Sequence, residues 1–161
     1  MKEELDKQLC ENYPKIFADR HGDMSKTCMV WGMCCGDGWY TIIDNMCSRI
    51  QGHIDYSYEK IKWDTQWNER VNDPDHVWTA FVERKERPIR EPVEQVVAIQ
   101  VKEKFGGLRF YYSGGDDYIR GVVDMAEEMS YSTCETCGSP GELRKNGWYQ
   151  TLCDIHGEGR D

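Results

Sequence analysis

CETCGSPGELRKNGWYQTLCDIH, residues 134–156, is the stretch that decides the fold of the carboxy-terminal part of the chain. It begins with one pair of metal-ligand residues, Cys134 and Cys137, and ends with a second pair, Cys153 and His156. The short spacing within each pair allows one tight turn to bring both side chains to a single ion. Because zinc accepts thiolate sulfur and imidazole nitrogen in a tetrahedral set, the pattern predicts one structural zinc ion per chain.

The residues between the two pairs predict a hairpin. Gly138 suits the left-handed backbone position that follows such a knuckle, because glycine lacks a Cβ. Farther along, Asn146-Gly147 is a strong signal for a two-residue hairpin turn. A knuckle, a hairpin and a last helical turn together predict a zinc ribbon or treble-clef-like unit over residues 131–161.

A second hairpin is predicted upstream of this unit. Residues 96–101 (VVAIQV) are rich in β-branched side chains, and residues 108–112 (LRFYY) alternate between large apolar and amphipathic groups. Phe105, Gly106 and Gly107 supply the turn between the two runs. The sequence therefore predicts an antiparallel sheet centred on residues 95–112.

Apolar periodicity predicts helices on both sides of this sheet. A short helix before Pro14 is followed by a helix that Asp37 caps, by a second helix over residues 55–71, and by a third that Asp75 caps and that includes Val77, Trp78, Phe81 and Val82. Residues 84–92 are interpreted as a solvated linker, and a further helix follows Asp116. The two clearest apolar stripes are Trp39, Ile42, Ile43, Met46, Cys47 and Ile50, and Ile119, Val122, Val123, Ala126 and Met129. The predicted fold class is α+β, a single domain over residues 1–161 with the zinc-binding unit as a subdomain.

The composition favours a protein of the cytoplasm. The net charge of −9 opposes nonspecific binding to nucleic acid, and no apolar run is long enough to cross a membrane. The opening residues, MKEELD, do not resemble a signal peptide, so the eight cysteines are expected to be reduced thiols or metal ligands rather than disulfides.

Other chemical sites have weaker patterns. Cys28, Cys34, Cys35 and His21 could form a second metal site, but their spacing is not paired, and packing as small hydrophobic groups is the simpler interpretation. The motif His156-Gly-Glu158 follows the cysteine pair instead of preceding it, which is the reverse of the zinc deaminase order. A zinc-braced nuclease stays an alternative, although residues 142–152 contain no histidine.

Three groups of motifs stand out: VKEKFGGLRFY at 101–111, the CxxCG…GW…TLCxxH pattern that starts at Cys134, and TCMVWG and CGDGW at 27–32 and 35–39. In these motifs the chain resembles a family of small uncharacterised bacterial and bacteriophage proteins. The resemblance implies a prokaryotic or mobile-element setting and the cytoplasm of a bacterial host. It implies no catalytic residue.

Two charged surfaces are candidate binding sites. Asp117, Asp124 and Glu128 share one face of the helix after Asp116, and an acidic face can occupy the basic groove of a host protein such as a defence nuclease. Alternatively, Lys102, Lys104 and Arg109 lie together at the hairpin tip, where Tyr111 or Trp148 could stack a nucleotide or a nucleic-acid base. These cations could instead pair with Glu103 and the acidic helix. We expect an acidic, zinc-stabilised protein that inhibits a host defence system through protein–protein contact, with nucleotide or nucleic-acid binding as the alternative.

Overall fold

A two-stranded antiparallel sheet lies at the centre of the computed structural model, which describes residues 1–78 and 83–159. Strand β1 spans Val97–Lys104 and strand β2 spans Gly107–Ser113. Phe105 and Gly106 form the turn with φ angles of 54° and 80°. The predicted hairpin and its turn are therefore confirmed.

Helices and a second, smaller sheet complete an α+β fold, as predicted. Helix α1 spans Glu3–Asn12, α2 spans Tyr40–Asn72, α3 spans Asp117–Ser130 and α4 spans Asp154–Gly157. The small sheet pairs β3, Glu142–Arg144, with β4, Gln150–Leu152. None of the described helices contains a stretch that is long and apolar enough to span a bilayer.

The main core forms where α2 and α3 meet the central hairpin. All members of the predicted stripe on α2 are buried, and Ile54 extends the stripe by another turn. Removing these apolar surfaces from water is the main source of stability in such a core. The hairpin and α3 contribute Val96, Ala98, Val101, Leu108, Phe110, Ile119, Val123 and Ala126.

Helix α2 differs from the prediction in two ways. The sequence predicted separate helices before and after residue 55, but α2 is continuous through Gly52, because one glycine within a long helix costs too little to end it. Asp37 does not cap α2; its carboxylate accepts a hydrogen bond from the backbone N–H of Lys2 at 2.7 Å. A 3-10 turn over Asp37–Trp39 precedes the helix instead, so α2 begins at Tyr40.

The third helix that was predicted from Asp75 is not present in residues 75–78, and its remaining positions, including Phe81 and Val82, lie outside the described residues.

Farther along, the chain runs back beside α2. Trp67 donates its indole N–H to the carbonyl of Lys85 at 2.9 Å, and the Arg87 guanidinium lies 4.5 Å from the Trp67 ring. Residues 84–91 are exposed, as the prediction of a solvated linker requires, and the segment is in addition bound to the helix.

Replacing Gly52 by alanine tests the continuity of α2. A Cβ at this position would meet no atom within 4 Å, and alanine is favoured over glycine inside a helix. We expect Gly52→Ala to stabilise the protein by about 0.5–1 kcal/mol, which raises the unfolding temperature by about 1–4 °C. Differential scanning calorimetry measures this shift.

Gly121→Ala is the matched control, since Gly121 also has open space around it and lies within α3. Both variants should gain stability to a similar extent. A loss of stability for Gly52→Ala alone would contradict a continuous helix.

Candidate metal centre

Cys134, Cys137, Cys153 and His156 form a cluster that could bind a metal ion. Their ligand atoms all lie within 4.8 Å of one another. Cys134 and Cys153 are buried, whereas Cys137 and His156 are exposed. The sequence prediction that these two separated pairs come together is therefore confirmed.

Three of the six distances within the cluster are close to those around a tetrahedral ion. With zinc–sulfur bonds of about 2.3 Å and zinc–nitrogen bonds of about 2.0 Å, tetrahedral edges are about 3.8 Å between sulfurs and about 3.5 Å between sulfur and nitrogen. The Sγ atoms of Cys137 and Cys153 are 3.8 Å apart, and the Nδ1 atom of His156 lies 3.6 Å from Cys134 Sγ and 3.2 Å from Cys153 Sγ. Nδ1 is thus the imidazole atom that faces the sulfurs.

Two local turns produce this arrangement. The backbone N–H of Gly138 donates to the carbonyl of Cys134 at 2.8 Å, which closes the first knuckle, and Gly138 has a φ of 79° as expected. Cys153 immediately precedes α4, and its carbonyl accepts a hydrogen bond from Gly157 at 2.8 Å. This turn of helix carries His156 back toward Cys153.

The environment of Cys137 favours the thiolate that binds metals. Hydrogen bonds from the side chain and backbone of Ser139 lower the pKa of the Cys137 thiol to about 6. Since metals bind the thiolate rather than the thiol, this ligand is already suited to its role near neutral pH.

The β3–β4 hairpin differs from the predicted hairpin at its turn. Arg144 pairs with Gln150, so residues 145–149 form a longer loop and the two-residue turn at Asn146-Gly147 is wrong. The glycine does adopt a φ of 85°, but Trp148 in the same loop donates its indole N–H to Glu103 at 3.2 Å. The longer loop thus contacts the central hairpin through Trp148 and Glu103.

The metal cluster packs directly against the segment that leads into α2. The backbone N–H of Gly38 donates to the carbonyl of Glu135 at 2.8 Å, and that of Gly36 donates to the Glu135 carboxylate at 2.9 Å. The fully buried Trp39 donates its indole N–H to the carbonyl of Thr133 at 2.8 Å. These hydrogen bonds connect the first ligand pair to the start of the longest helix.

The absence of side chains at two glycines permits this contact. A Cβ on Gly36 would overlap the carbonyl of Glu135, and a Cβ on Gly38 would overlap the carbonyl of Cys134. Both obstructions are backbone atoms, which cannot rotate away as a flexible side chain can. The motif CGDGW therefore has a packing function at the metal cluster.

Residues 131–159, which contain the metal cluster and are called the metal unit below, also contact the tip of the central hairpin. Thr151 donates its hydroxyl to the carbonyl of Gly106 at 2.7 Å, and Gly106 lies against the side chain of Leu143. Gly107 lies against the ring of Tyr131, where a Cβ would overlap the ring. The small sheet and the central hairpin therefore have a fixed relation to each other.

The remaining amino-terminal cysteines do not join a second cluster. Within residues 1–78 and 83–159, the metal-ligand group described above is the one that brings three or more such side chains together. Cys28 and Cys34 are exposed, and their backbone N–H groups donate to the carbonyls of Ile99 and Val101 on the edge of β1. Cys35 is buried, and burial raises the pKa of its thiol to about 12. Packing as a small hydrophobic group therefore describes Cys35, whereas the exposed Cys28 and Cys34 hold the chain beside β1 through their backbone.

The three cations predicted at the hairpin tip separate into two groups. Arg109 donates to the hydroxyl of Tyr131 at 2.6 Å and lies 3.4 Å from the Glu127 carboxylate, so pairing with the acidic helix is confirmed for this residue. Lys102 and Lys104 have no ion pair with any described residue. They and the exposed Trp148 border one groove, which Arg109 does not line.

Two other carboxylates of α3 and its cap, Asp116 and Glu127, are held by hydrogen bonds within the protein. Asp116 caps α3 by accepting from Ile119 and lies 2.8 Å from His53, and Glu127 accepts from the backbone of Phe110. Both of these carboxylates therefore support the fold. The predicted site residues Asp117, Asp124 and Glu128 are exposed.

Sequence analysis missed several exposed aromatic and apolar residues near these charges. Met129 was assigned to the core, but half of its side chain is exposed, because Ser130 takes the buried position at the end of α3. Met125 lies one turn and Tyr118 three turns before Met129 on the same side, and both are also exposed. Their spacing of i, i+7 and i+11 is the signal that could have separated this outer stripe from the core stripe.

Comparison of the chain with models of protein families, with curated proteins and with solved structures finds no match. The metal cluster and the exposed surfaces of the described residues are therefore the features from which a function can be inferred.

Gly38→Ala tests the contact between the metal cluster and the start of α2. The added Cβ would overlap backbone atoms of the first knuckle, so the two parts must move apart. We expect a loss of about 1–3 kcal/mol in the free energy of unfolding, measured by urea denaturation. Gly121→Ala is the control, and equal stability of the two variants would contradict the contact.

Proposed function

We propose that the cluster of Cys134, Cys137, Cys153 and His156 holds one structural zinc ion. Three thiolates and one imidazole form a closed tetrahedral set that zinc prefers, and such a set leaves no position for a reacting water. The three distances that are close to tetrahedral edges support this proposal. When bound, the ion would hold the turn after Thr133 and the turn before α4 together.

Elemental analysis tests the metal proposal. Protein purified without chelators should contain one zinc ion per chain, and Cys137→Ser should lose it because one of the ligands is gone. Cys28→Ser is the matched control, since Cys28 is an exposed cysteine outside the cluster. No zinc in the unmodified protein, or equal loss in both variants, would contradict the proposal.

The second part of the proposal concerns the outer face of α3. Here Tyr118, Met125 and Met129 expose between 50% and 61% of their area, and the carboxylates of Asp124 and Glu128 lie among them in the sequence. Neither carboxylate has an ion pair with a described residue. A face that combines methionines with free carboxylates suits a partner surface that is both apolar and basic.

We infer that this face, defined as the α3 face by Asp117, Tyr118, Asp124, Met125, Glu128 and Met129, binds a basic protein surface. The exposed apolar side chains on an otherwise charged helix are the observation that carries the inference, because a merely solvated helix has no need for them. The net charge of −9 adds long-range attraction toward a cationic partner.

The partner class follows from the resemblance to bacterial and bacteriophage proteins. A small acidic protein in that setting can occupy the nucleic-acid groove of a host defence nuclease and so inhibit it. We therefore propose an inhibitor of a host defence system that acts by protein–protein contact in the bacterial cytoplasm. The alternative of a zinc-braced nuclease has less support, because β3 and β4 carry no histidine.

Charge neutralisation tests the α3 face. After a partner is identified by affinity capture from a bacterial lysate, its association with the variant Asp124→Asn/Glu128→Gln is compared with that of the unmodified protein by surface plasmon resonance. We expect slower association, most clearly at low ionic strength, because charges at a rim act mainly on the association rate. Asp117 is left unchanged, since it already pairs with Arg120 at 3.2 Å.

The matched control is Glu59→Gln/Glu69→Gln, which changes the net charge by the same amount on exposed positions of α2. If both double variants slow association equally, the effect belongs to net charge and not to the α3 face. A partner that binds both variants like the unmodified protein would contradict the proposal.

A further inference from the structure

A surface groove lies between the tip of the central hairpin and the loop of the small sheet. Its volume is about 510 Å³, and it is bordered by Lys102, Glu103, Lys104, Phe105, Trp148 and Tyr149. This volume lies within the usual range of small-molecule clefts, roughly 300–1,000 Å³. We name it the tip groove.

Exposed aromatic rings are the first feature of the tip groove that points to a ligand. Phe105 exposes 66% of its area, Trp148 71% and Tyr149 44%. The first ring comes from the central hairpin and the other two from the metal unit, so the contact between the two units brings them together. Such rings offer flat faces on which a nucleobase can stack.

The backbone at Phe105 is the second feature. Phe105 is the one non-glycine residue with a positive φ among the described residues, at 54°. This left-handed conformation is unfavourable for a residue with a bulky side chain, and glycine would adopt it without strain. Strain of this kind concentrates at functional sites, so a large aromatic group at this turn indicates that its ring is needed there.

The cations are the third feature. The ammonium group of Lys102 lies 5.4 Å from the Tyr111 ring, and that of Lys104 lies 5.5 Å from the Phe105 ring. The nearby carboxylate of Glu103 accepts instead from the backbone of Gly106 at 2.7 Å and from Trp148 at 3.2 Å. Glu103 therefore fixes the turn and the indole, and both lysines can bind an anion.

We propose that the tip groove binds a nucleoside phosphate, either free or as one residue of a single strand. The rings of Phe105 and Trp148 stack the base, and the ammonium groups of Lys102 and Lys104 bind the phosphate. The net charge of −9 opposes a long polyanion more strongly than a single nucleotide, whose phosphate meets the local basic site. This activity is separate from the α3 face and does not depend on it.

Titration calorimetry with nucleoside mono- and triphosphates, and fluorescence anisotropy with a labelled single-stranded oligonucleotide, test the proposal. Binding of the mononucleotides identifies a free nucleotide as the ligand, whereas binding of the oligonucleotide alone identifies a single strand. If neither probe binds at physiological salt, the proposal is wrong.

Trp148→Ala should lower the affinity for the probe that binds by roughly five- to a hundredfold, the range found when a base loses its aromatic partner. Trp63→Ala is the control, because Trp63 is another half-exposed tryptophan but lies on α2. Lys102→Gln/Lys104→Gln should also weaken binding and reduce its salt dependence, whereas Lys26→Gln/Lys62→Gln should not. Equal effects of test and control variants would overturn the assignment to the groove.

Phe105→Gly separates binding from folding. We expect this variant to unfold at a higher temperature than the unmodified protein, because glycine removes the backbone strain, and yet to bind the nucleotide probe more weakly. Unchanged affinity in this variant would overturn the stacking role of Phe105. The variant Asp124→Asn/Glu128→Gln should bind the probe normally, so failure of the α3 face and failure of the tip groove can be told apart.

Discussion

The hydrogen-bonded contact between the first cysteine knuckle and residues 36–39 is the constraint on which the rest of the structure depends. It joins the metal cluster to Trp39, which is fully buried and stands at the start of α2. The backbone of Gly36 and Gly38 lies directly against the backbone of Cys134 and Glu135. A Cβ at either glycine would overlap these atoms, so the contact requires glycine at both positions. Each buried hydrogen bond contributes only about 1 kcal/mol net, but leaving one unmade inside this contact costs more. A second contact, of Thr151 and Leu143 with Gly106, fixes the small sheet relative to the central hairpin, and thereby the walls of the tip groove.

The carboxylates that give the chain its net charge of −9 have different roles in the structure. Asp6 is buried and accepts from Arg20 at 2.9 Å and from the backbone of Met33 at 2.8 Å, and Glu127 likewise supports the hairpin. These acids stabilise the fold because they are hydrogen-bonded, and they are not available to a partner. Asp124 and Glu128 of the α3 face and Lys102 and Lys104 of the tip groove have no such pairing with a described residue, so their charges are available for recognition.

Predictions from sequence succeeded where the signal lies in adjacent residues of one element. They failed where contacts with residues distant in the sequence decide the structure. The apolar stripe of α2, the β-branched run of β1 and the alternation in β2 are local signals, and these elements form as expected. The break at residue 55 was wrong because one glycine, Gly52, costs too little to end a long helix. The turn at Asn146-Gly147 was wrong because this loop contacts Glu103, a residue distant in sequence. Met129 was misassigned because the last turn of α3 buries Ser130 instead.

The sequence by itself determined the four members of the metal cluster, since ligand type and paired spacing follow from the chemistry of one tetrahedral ion. It also determined the α+β class through its two periodicities. Only the tertiary structure decided that Arg109 belongs with Glu127 while Lys102 and Lys104 share a groove with Trp148. The physical reason is that a side chain's partners across the surface depend on how separate elements pack, and residue spacing along the chain carries no record of that packing.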